Sequence, residues 1–337
     1  MITQEDLAKK LGLTRTTVAR ALNGSKDIKA ETKKRILDLA EKEGYQKNYL
    51  GSYLAGKGKK NIYALIVKSL NEEYAIQIKK GLKDIQKELE DFGFKIKILE
   101  TDIKNIDEQI MSLKNILTKN IDGLIIAPLD KEKIKKILTP YLDKIKIVTI
   151  GETIENENLF IESGYYKSGR VAGNILSTLI KKNKKILIFD GGDDRISSKK
   201  YLEGFLSQIE FSLLKYKEPI FIENMLENKN KLKEYIDEDI DGIYLNRYAP
   251  EIIEYLKSEN IINLKIVTNG FNKKIEKMLN NKDIIATVSE DFYEQGYYAG
   301  KNLFEILYKP NLKKPQNYTT KINILFKESL VKLGDLK

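Results

Sequence analysis

The chain has 337 residues, 42% apolar and 32% charged, with a formal net charge of +10 and neither cysteine nor histidine. That is about two to three domains' worth of sequence with apolar content ample for buried cores, and the missing residues exclude disulfides, thiolate nucleophiles, Ser-His triads and the usual transition-metal ligands, so no metal and no cofactor are expected. The opening "MITQEDLAKK" carries acids where a secretory signal would carry a basic start, and no apolar run approaches the ~20 residues of a membrane span, so a cytoplasmic protein without membrane contact is expected.

Residues 1–60 hold 14 Lys/Arg against 7 Asp/Glu, whereas the remaining 277 hold 45 against 42. The basic charge is therefore concentrated in a compact segment, as a polyanion site requires. Within it, Thr3 with Asp6 makes a capping-box start, and Leu7, Ala8 and Leu11 supply an apolar face, which predicts a helix over Gln4 to Lys10 stopped by Gly12. Thr14 caps a second helix that turns Val18, Ala21 and Leu22 inward and stops at Asn23-Gly24. A third helix, Ala30 to Glu43, buries Ile36, Leu39 and Ala40 and ends at Gly44. Three short helices with a three-residue turn between the first two make an all-α helix-turn-helix unit, whose second helix enters the DNA major groove. On its outward face lie Arg15, Thr16, Ala19 and Arg20. Arginine suits guanine O6/N7, and a threonine methyl suits thymine.

"TQEDLAKKLGLTRTTVARALNGSKDIKAETKKRILDLAEKEGY" resembles the DNA-binding domain of LacI-type transcription regulators through nearly its whole length. The resemblance implies that Arg15, Thr16 and Arg20 contact bases and that Thr3, Thr17, Asn23 and Thr32 contact phosphates. Two positions depart from the family pattern. Lys29 replaces the serine that usually caps the third helix and adds a candidate phosphate contact, and Lys47 replaces a proline before Asn48.

"GSYLAGKGKK", Gly51 to Lys60, has all but the last letter of the phosphate-binding pattern GxxxxGK[ST]. Gly58 stands where Ser or Thr would hold magnesium, no strand precedes the run and a strand follows it, so the nucleotide reading fails. Asn48 instead caps a short helix, Tyr49 to Ala55, too short to persist alone and further weakened by Gly51. In the LacI family this place is the hinge helix, which pairs with its twin in a dimer and pushes a leucine into the minor groove. The matching residue is Leu54, with Lys57, Lys59 and Lys60 beyond it as candidate phosphate contacts.

From Asn61 the pattern changes to short Ile/Val-rich runs, "IYALIV", "KIKIL", "DGLIIAP", "KIVTIG", "KKILIFD", "EPIFIE", "DGIYLN", "LKIVTNG" and "DIIATVS", mostly separated by amphipathic stretches such as Glu73 to Phe92. Such runs read as buried parallel strands alternating with helices. No Gly-rich dinucleotide fingerprint follows the first of them. "DEQIMSLKNILTKNIDGLIIAPLD", "SGRVAGNIL", "YLEGF", "VTNGF" and "ATVSEDFYEQGYYAG" resemble, in order, the two-lobed α/β effector domain that LacI regulators share with periplasmic sugar-binding proteins of type I. The expected organisation is a helix-turn-helix domain over 1–47, a hinge over 48–60 and an effector and dimerisation domain over 61–337. Its first lobe spans about 61–155 and 292–315, and its second about 156–291 and 316–337.

Ligand then sits where strand C-termini face the cleft. Candidates at those ends are Ser69, Asn71, Tyr74, Asp130, Glu152, Asp190, Tyr201, Asn246, Arg247, Asn272 and Glu290, about half of which are expected to touch ligand. Against the family pattern, Tyr201 replaces a ligand-clamping arginine, Asn272 an aspartate that grips sugar hydroxyls, and Gly164 another aspartate, while Arg247 follows Asn246 where aspartate is common. Fewer acids and an added arginine suit a ligand with negative charge, and Tyr74, Tyr201, Tyr248 and Phe271 are candidates to stack on a sugar ring. The expected function is a sequence-specific transcription regulator, a repressor in sense, acting as a homodimer on a two-fold symmetric double-stranded operator under control of a carbohydrate or sugar phosphate. Control by a partner protein is an alternative, as is an enzyme with a fused DNA-binding domain that uses Asp130, Glu152, Asp190 or Glu290. The hinge reading carries its own test: Leu54→Ala should weaken operator binding far more than non-specific binding in a salt-matched titration, and equal loss on both contradicts the wedge.

Overall fold

The computed structural model describes residues 2–22, 25, 27–45, 60–69, 72–154, 159–192, 196–222, 232–261, 263–308 and 315–330. The candidates Asn23, Asn48, Leu54, Lys57 and Asn71, and the hinge up to residue 59, lie outside the described residues; Lys60, the last hinge residue, pairs with Asp122 at 3.0 Å.

Helices α1 (Gln4–Leu11), α2 (Arg15–Leu22) and α3 (Ala30–Lys42) form the N-terminal unit. The Thr3 hydroxyl accepts from the Asp6 N–H while the Asp6 carboxylate accepts from the Thr3 N–H, and Gly12 closes α1 in the left-handed conformation. The Thr17 N–H donates to Thr14 Oγ1 at 3.2 Å, opening α2 one turn after α1 ends. Leu7, Val18, Ala21, Leu22 and Ile36 are buried together, so each helix contributes one apolar face to a small shared core. Lys29 precedes α3 without a side-chain cap, as expected where serine is missing.

The remaining elements, in chain order, are β1 (Ile62–Lys68), α4 (Glu72–Glu88), β2 (Ile96–Asp102), α5 (Ile106–Leu117), β3 (Gly123–Ile126), α6 (Lys131–Leu138), β4 (Lys146–Ile150), β5 (Leu159–Glu162), α7 (Tyr165–Leu179), β6 (Lys185–Asp190), α8 (Ile196–Phe211), β7 (Lys215–Tyr216), β8 (Ile220–Phe221), β9 (Ile240–Leu245), α9 (Ala249–Ser258), β10 (Lys265–Asn269), α10 (Lys273–Asn280), β11 (Ala286–Glu290), α11 (Phe292–Tyr308), β12 (Tyr318–Thr319) and β13 (Ile322–Leu325). They make two sheets. The first is ordered β12-β5-β4-β3-β1-β2 with every pair parallel; the second is β13-β11-β10-β9-β6-β7, with β8 also on β6 and only β13 antiparallel. Helices cover the faces of both sheets, so the central strands are buried on both sides and read as continuous apolar runs.

The chain passes between the sheets at Ser163–Gly164, at Asp291 and at Thr320–Lys321. The first and third crossings fall later than the 155/156 and 315/316 boundaries expected from sequence, because β5 and β12 both belong to the first sheet. These strands have four and two residues, too few to show a run. Backbone bonds stitch the crossings together: the Thr320 N–H donates to the Glu162 carbonyl and the Asp291 N–H to the Lys321 carbonyl, each at 3.0 Å.

Each lobe carries one helix pair in backbone contact. A Cβ on Gly169 of α7 would lie 2.1 Å from the Tyr201 carbonyl oxygen, and one on Gly296 of α11 2.1 Å from that of Ile78. The pairs α7 with α8 and α4 with α11 therefore close only on glycine. Gly169→Ala or Gly296→Ala should lower stability by about 3 kcal/mol, because overpacking here meets backbone and not a flexible side chain; a urea midpoint within error of the parent protein would show that the helices part at little cost.

Candidate functional site

Burial of Val18, Ala21 and Leu22 fixes which side of α2 faces outward, and Arg15, Thr16 and Arg20 are exposed on it. Thr17 is half-buried, with its hydroxyl 2.9 Å from that of Thr14. Lys29 is exposed before α3, Thr32 is half-buried, and the Thr3 hydroxyl donates to Asp6 at 2.7 Å as part of the cap. The surface thus offers two guanidinium groups and a hydroxyl from one helix face, with a flanking lysine.

Between the lobes lies a cleft of about 580 Å³, lined from the first lobe by Ser69, Tyr74, Asp130, Glu152 and Phe292 and from the second by Tyr165, Tyr201 and Arg247, among others. Gly151, at φ 82°, ends β4 with a turn that L-residues rarely adopt and brings Glu152 to the cleft. Tyr74 meets Phe292 edge to face at 5.1 Å, and Tyr165 meets Tyr201 in the same way at 5.2 Å, so each lobe presents an aromatic pair. Arg247 Nε donates to Ser198 Oγ at 3.0 Å and Nη2 to Ser197 Oγ at 2.6 Å, anchoring the guanidinium to the first turn of α8. The next residue, Tyr248, is held at φ 55°, a conformation that costs a bulky residue about 1–3 kcal/mol.

Beneath the second-lobe wall runs a buried polar layer. Ser168 Oγ and Tyr201 Oη each donate to the Glu290 carboxylate at 2.6 Å. Asn246 donates to the Asp190 carboxylate through its amide nitrogen and accepts from the Gly191 N–H at 3.0 Å. Burial pushes the Glu290 carboxyl up to about 7, only partly opposed by the Ser168 and Tyr201 bonds, while burial also raises Glu152, Tyr201 and Tyr165, the last to about 12.

Of the ligand candidates, Ser69, Tyr74, Asp130, Glu152, Tyr201 and Arg247 line the cleft. Asp190 and Asn246 do not, their side chains being bonded to each other beneath the wall, and Glu290, held by Ser168 and Tyr201, lines a second pocket with Glu73, Gln77 and Phe271. Asn272 is a helix cap, its side chain accepting from the N–H groups of Lys274 and Ile275, because α10 begins one residue after it. Tyr248 and Phe271 pack against the second-lobe core and are not among the cleft-lining residues. Sequence reasoning missed Tyr165, Phe292, Ser197, Lys131 and Lys199 as cleft residues. Each stands within the first four residues of a helix that follows a strand, which is the signal that would have found them.

Because the folded-state pKa of Glu290 lies above the ordinary 4.5, the folded protein holds that proton more tightly than the unfolded chain does. Its contribution is complete below about pH 4.5 and is lost as pH rises through about 7. Glu290→Gln should therefore flatten the fall in urea midpoint over that window, and an unchanged slope would place the titration elsewhere.

Residues 3–48 match the model of bacterial regulatory proteins of the lacI family, and residues 63–310 match a periplasmic binding protein domain. Relatives include catabolite control protein A from Priestia megaterium, 25% identical over 229 residues, with 66% of this chain and 65% of that protein covered. Catabolite control protein A from Streptococcus mutans is 22% identical over 335 residues, with 94% of both chains covered. The match thus spans a little under two thirds of the first relative and nearly all of the second. Among solved structures, the glucose-galactose binding protein GanP from Geobacillus stearothermophilus superposes with a TM-score of 0.67 at 20% identity, covering 81% of this chain and 99% of that one. A proposed LacI transcriptional regulator from Bacteroides fragilis does so with a TM-score of 0.65 at 18% identity and the same coverage. The outward arginines of α2, the two-sheet fold and these matches agree: the chain carries a DNA-binding domain of the lacI family of bacterial regulatory proteins, and over its larger part it belongs to the periplasmic binding protein domain family.

Proposed function

We propose that the protein is a cytoplasmic repressor that binds a two-fold symmetric operator as a homodimer, with its affinity set by a small sugar-like effector in the cleft between the lobes. The observation that carries this reading is the cleft itself: aromatic pairs and polar side chains from both lobes face one space of about 580 Å³, ample for a sugar. A ligand touching both walls binds the closed arrangement better than the open one, and that difference is what shifts the population. The sugar-binding relative supports carbohydrate as the effector class, as do the tyrosines available for stacking.

On the DNA side, Arg15, Thr16 and Arg20 read base edges, while Thr3, Thr17, Asn23, Lys29, Thr32, Asn48 and Lys57 hold the backbone and Leu54 enters the minor groove. Dimerisation through the first lobe is supported by an apolar set around edge strand β2, where Ile76 is 47% exposed, Leu99 39% and Met111 68%. Closure of the lobes would rotate these faces and alter the spacing of the two hinges. A coupling of about 1–3 kcal/mol is enough to change operator affinity several-fold or more.

Arg15→Ala should cost about 1–3 kcal/mol on operator DNA and relax the preference for one base pair, whereas Lys29→Ala should weaken every sequence alike and lower the salt slope by about 1. Titrations over a range of salt concentrations measure both. Uniform loss from Arg15→Ala across all sequences would show that α2 does not read bases.

A further inference from the structure

We infer that the effector is an acidic sugar, a sugar phosphate or sugar acid, whose anionic group is held by Arg247 on the second-lobe wall while its hydroxyls meet the carboxylates of the first. The inference rests on the reading of the cleft as the effector site. It comes from a segregation of charge: among the described lining residues, the carboxylates Asp130, Glu132 and Glu152 all belong to the first lobe, whereas the second contributes Arg247 and Lys199 and no carboxylate. With Lys131 counted against its three carboxylates, the first wall is left two negative charges in excess. The two walls therefore ask for different chemistry at the two ends of one ligand.

Arg247 is built to present its charge at a fixed place. Its two bonds to Ser197 and Ser198 seat it on the first turn of α8, a 16-residue helix whose N-terminal N–H groups add to the positive potential. Its stem lies over Gly191, where a Cβ would come within 2.7 Å of Arg247 Cγ. Of the acids beneath this wall, Asp190 does not line the cleft and Glu290 lines the second pocket beside it. Asp190 is bonded by Asn246 and by the Gly192 N–H, and burial raises Glu290, reducing its negative charge near neutral pH. A neutral sugar would meet Arg247 only through hydroxyl oxygens as acceptors, without the charge match that an anion adds, and a cation would oppose the second wall.

The carboxylates of the first wall suit polyol hydroxyls, each of which can donate a bond to an ionised oxygen. A guanidinium pairs with phosphate and carboxylate alike, so the shared chemistry is the anion and the experiment separates its two forms.

The test is calorimetric titration of the full-length protein with matched sets: glucose, glucose 6-phosphate and gluconate; galactose, galactose 6-phosphate and galacturonate; ribose and ribose 5-phosphate. At least one acidic member should bind about 10- to 100-fold more tightly than its neutral parent, the range of a charge-assisted bond in a partly desolvated site. Arg247→Gln should erase that preference. Gly191→Ala, which crowds the arginine stem without changing any charge, should reduce the preference as well, so the assignment does not depend on one variant folding. Neutral parents binding as tightly as their acids, or a preference that survives Arg247→Gln, would overturn the acidic assignment while leaving the cleft a sugar site. No binding by any member, neutral or acidic, would remove the carbohydrate reading itself.

Discussion

Three chain crossings between two parallel sheets are the constraint on which the effector domain depends. The second and third are tied by Glu294, whose carboxylate accepts from the Lys321 N–H at 3.0 Å and from Tyr318 Oη at 2.9 Å and pairs with Lys321 Nζ at 2.9 Å. Burial works to raise this carboxyl, but the bonds from Lys321 and Tyr318 outweigh it and hold it below its ordinary value. Tyr318 in turn stacks on Tyr298 with ring centroids 3.8 Å apart. The start of α11 is thereby fixed to the third crossing, and Phe292 enters the cleft from a joint and not from a free loop. Any relative motion of the lobes has to turn about this set.

The same arrangement explains why the cleft walls differ. First-lobe lining residues come from the ends of β1, β2, β3 and β4 and the starts of α4, α6 and α11, and second-lobe residues from the starts of α7 and α8 and the end of β9. Glu290, the last residue of β11, lies one position before the second crossing and holds both Ser168 of α7 and Tyr201 of α8. A tyrosine that touches the cleft is thus bonded to a residue at the joint. This gives contact with ligand a short physical route to the segment about which the lobes turn, as coupling through a packed polar network requires.

Much of this was legible from residues alone, for reasons that can be named. Thr3, Asp6 and Gly12 specify both ends of α1 through backbone groups that need partners, and the central strands announce themselves because burial on both faces leaves no polar alternation. The shortest elements did not: β5, β7 and β12 have two to four residues, too few to show a run. Sequence placed ligand candidates at strand ends, which found Ser69 and Arg247, but it could not tell a side chain that faces the cleft from one turned beneath it. Asp190 and Arg247 both stand near strand ends, and only the packing of Asn246 between them decides that the acid is hidden and the arginine is not. Gly164, read in sequence as a lost ligand-gripping acid, sits at φ 64° where α7 begins after the first crossing, a backbone position that favours glycine.

The account joins a DNA-reading helix to a cleft through lobe closure, so its central claim concerns energy passed between two sites. It is tested most directly by fluorescence anisotropy titration of a two-fold symmetric operator with and without a saturating sugar that calorimetry has shown to bind. The account predicts a change in operator affinity of about fivefold or more, matched by an equal change in sugar affinity when operator is bound first. Operator affinity that stays the same while the sugar is demonstrably bound would contradict it.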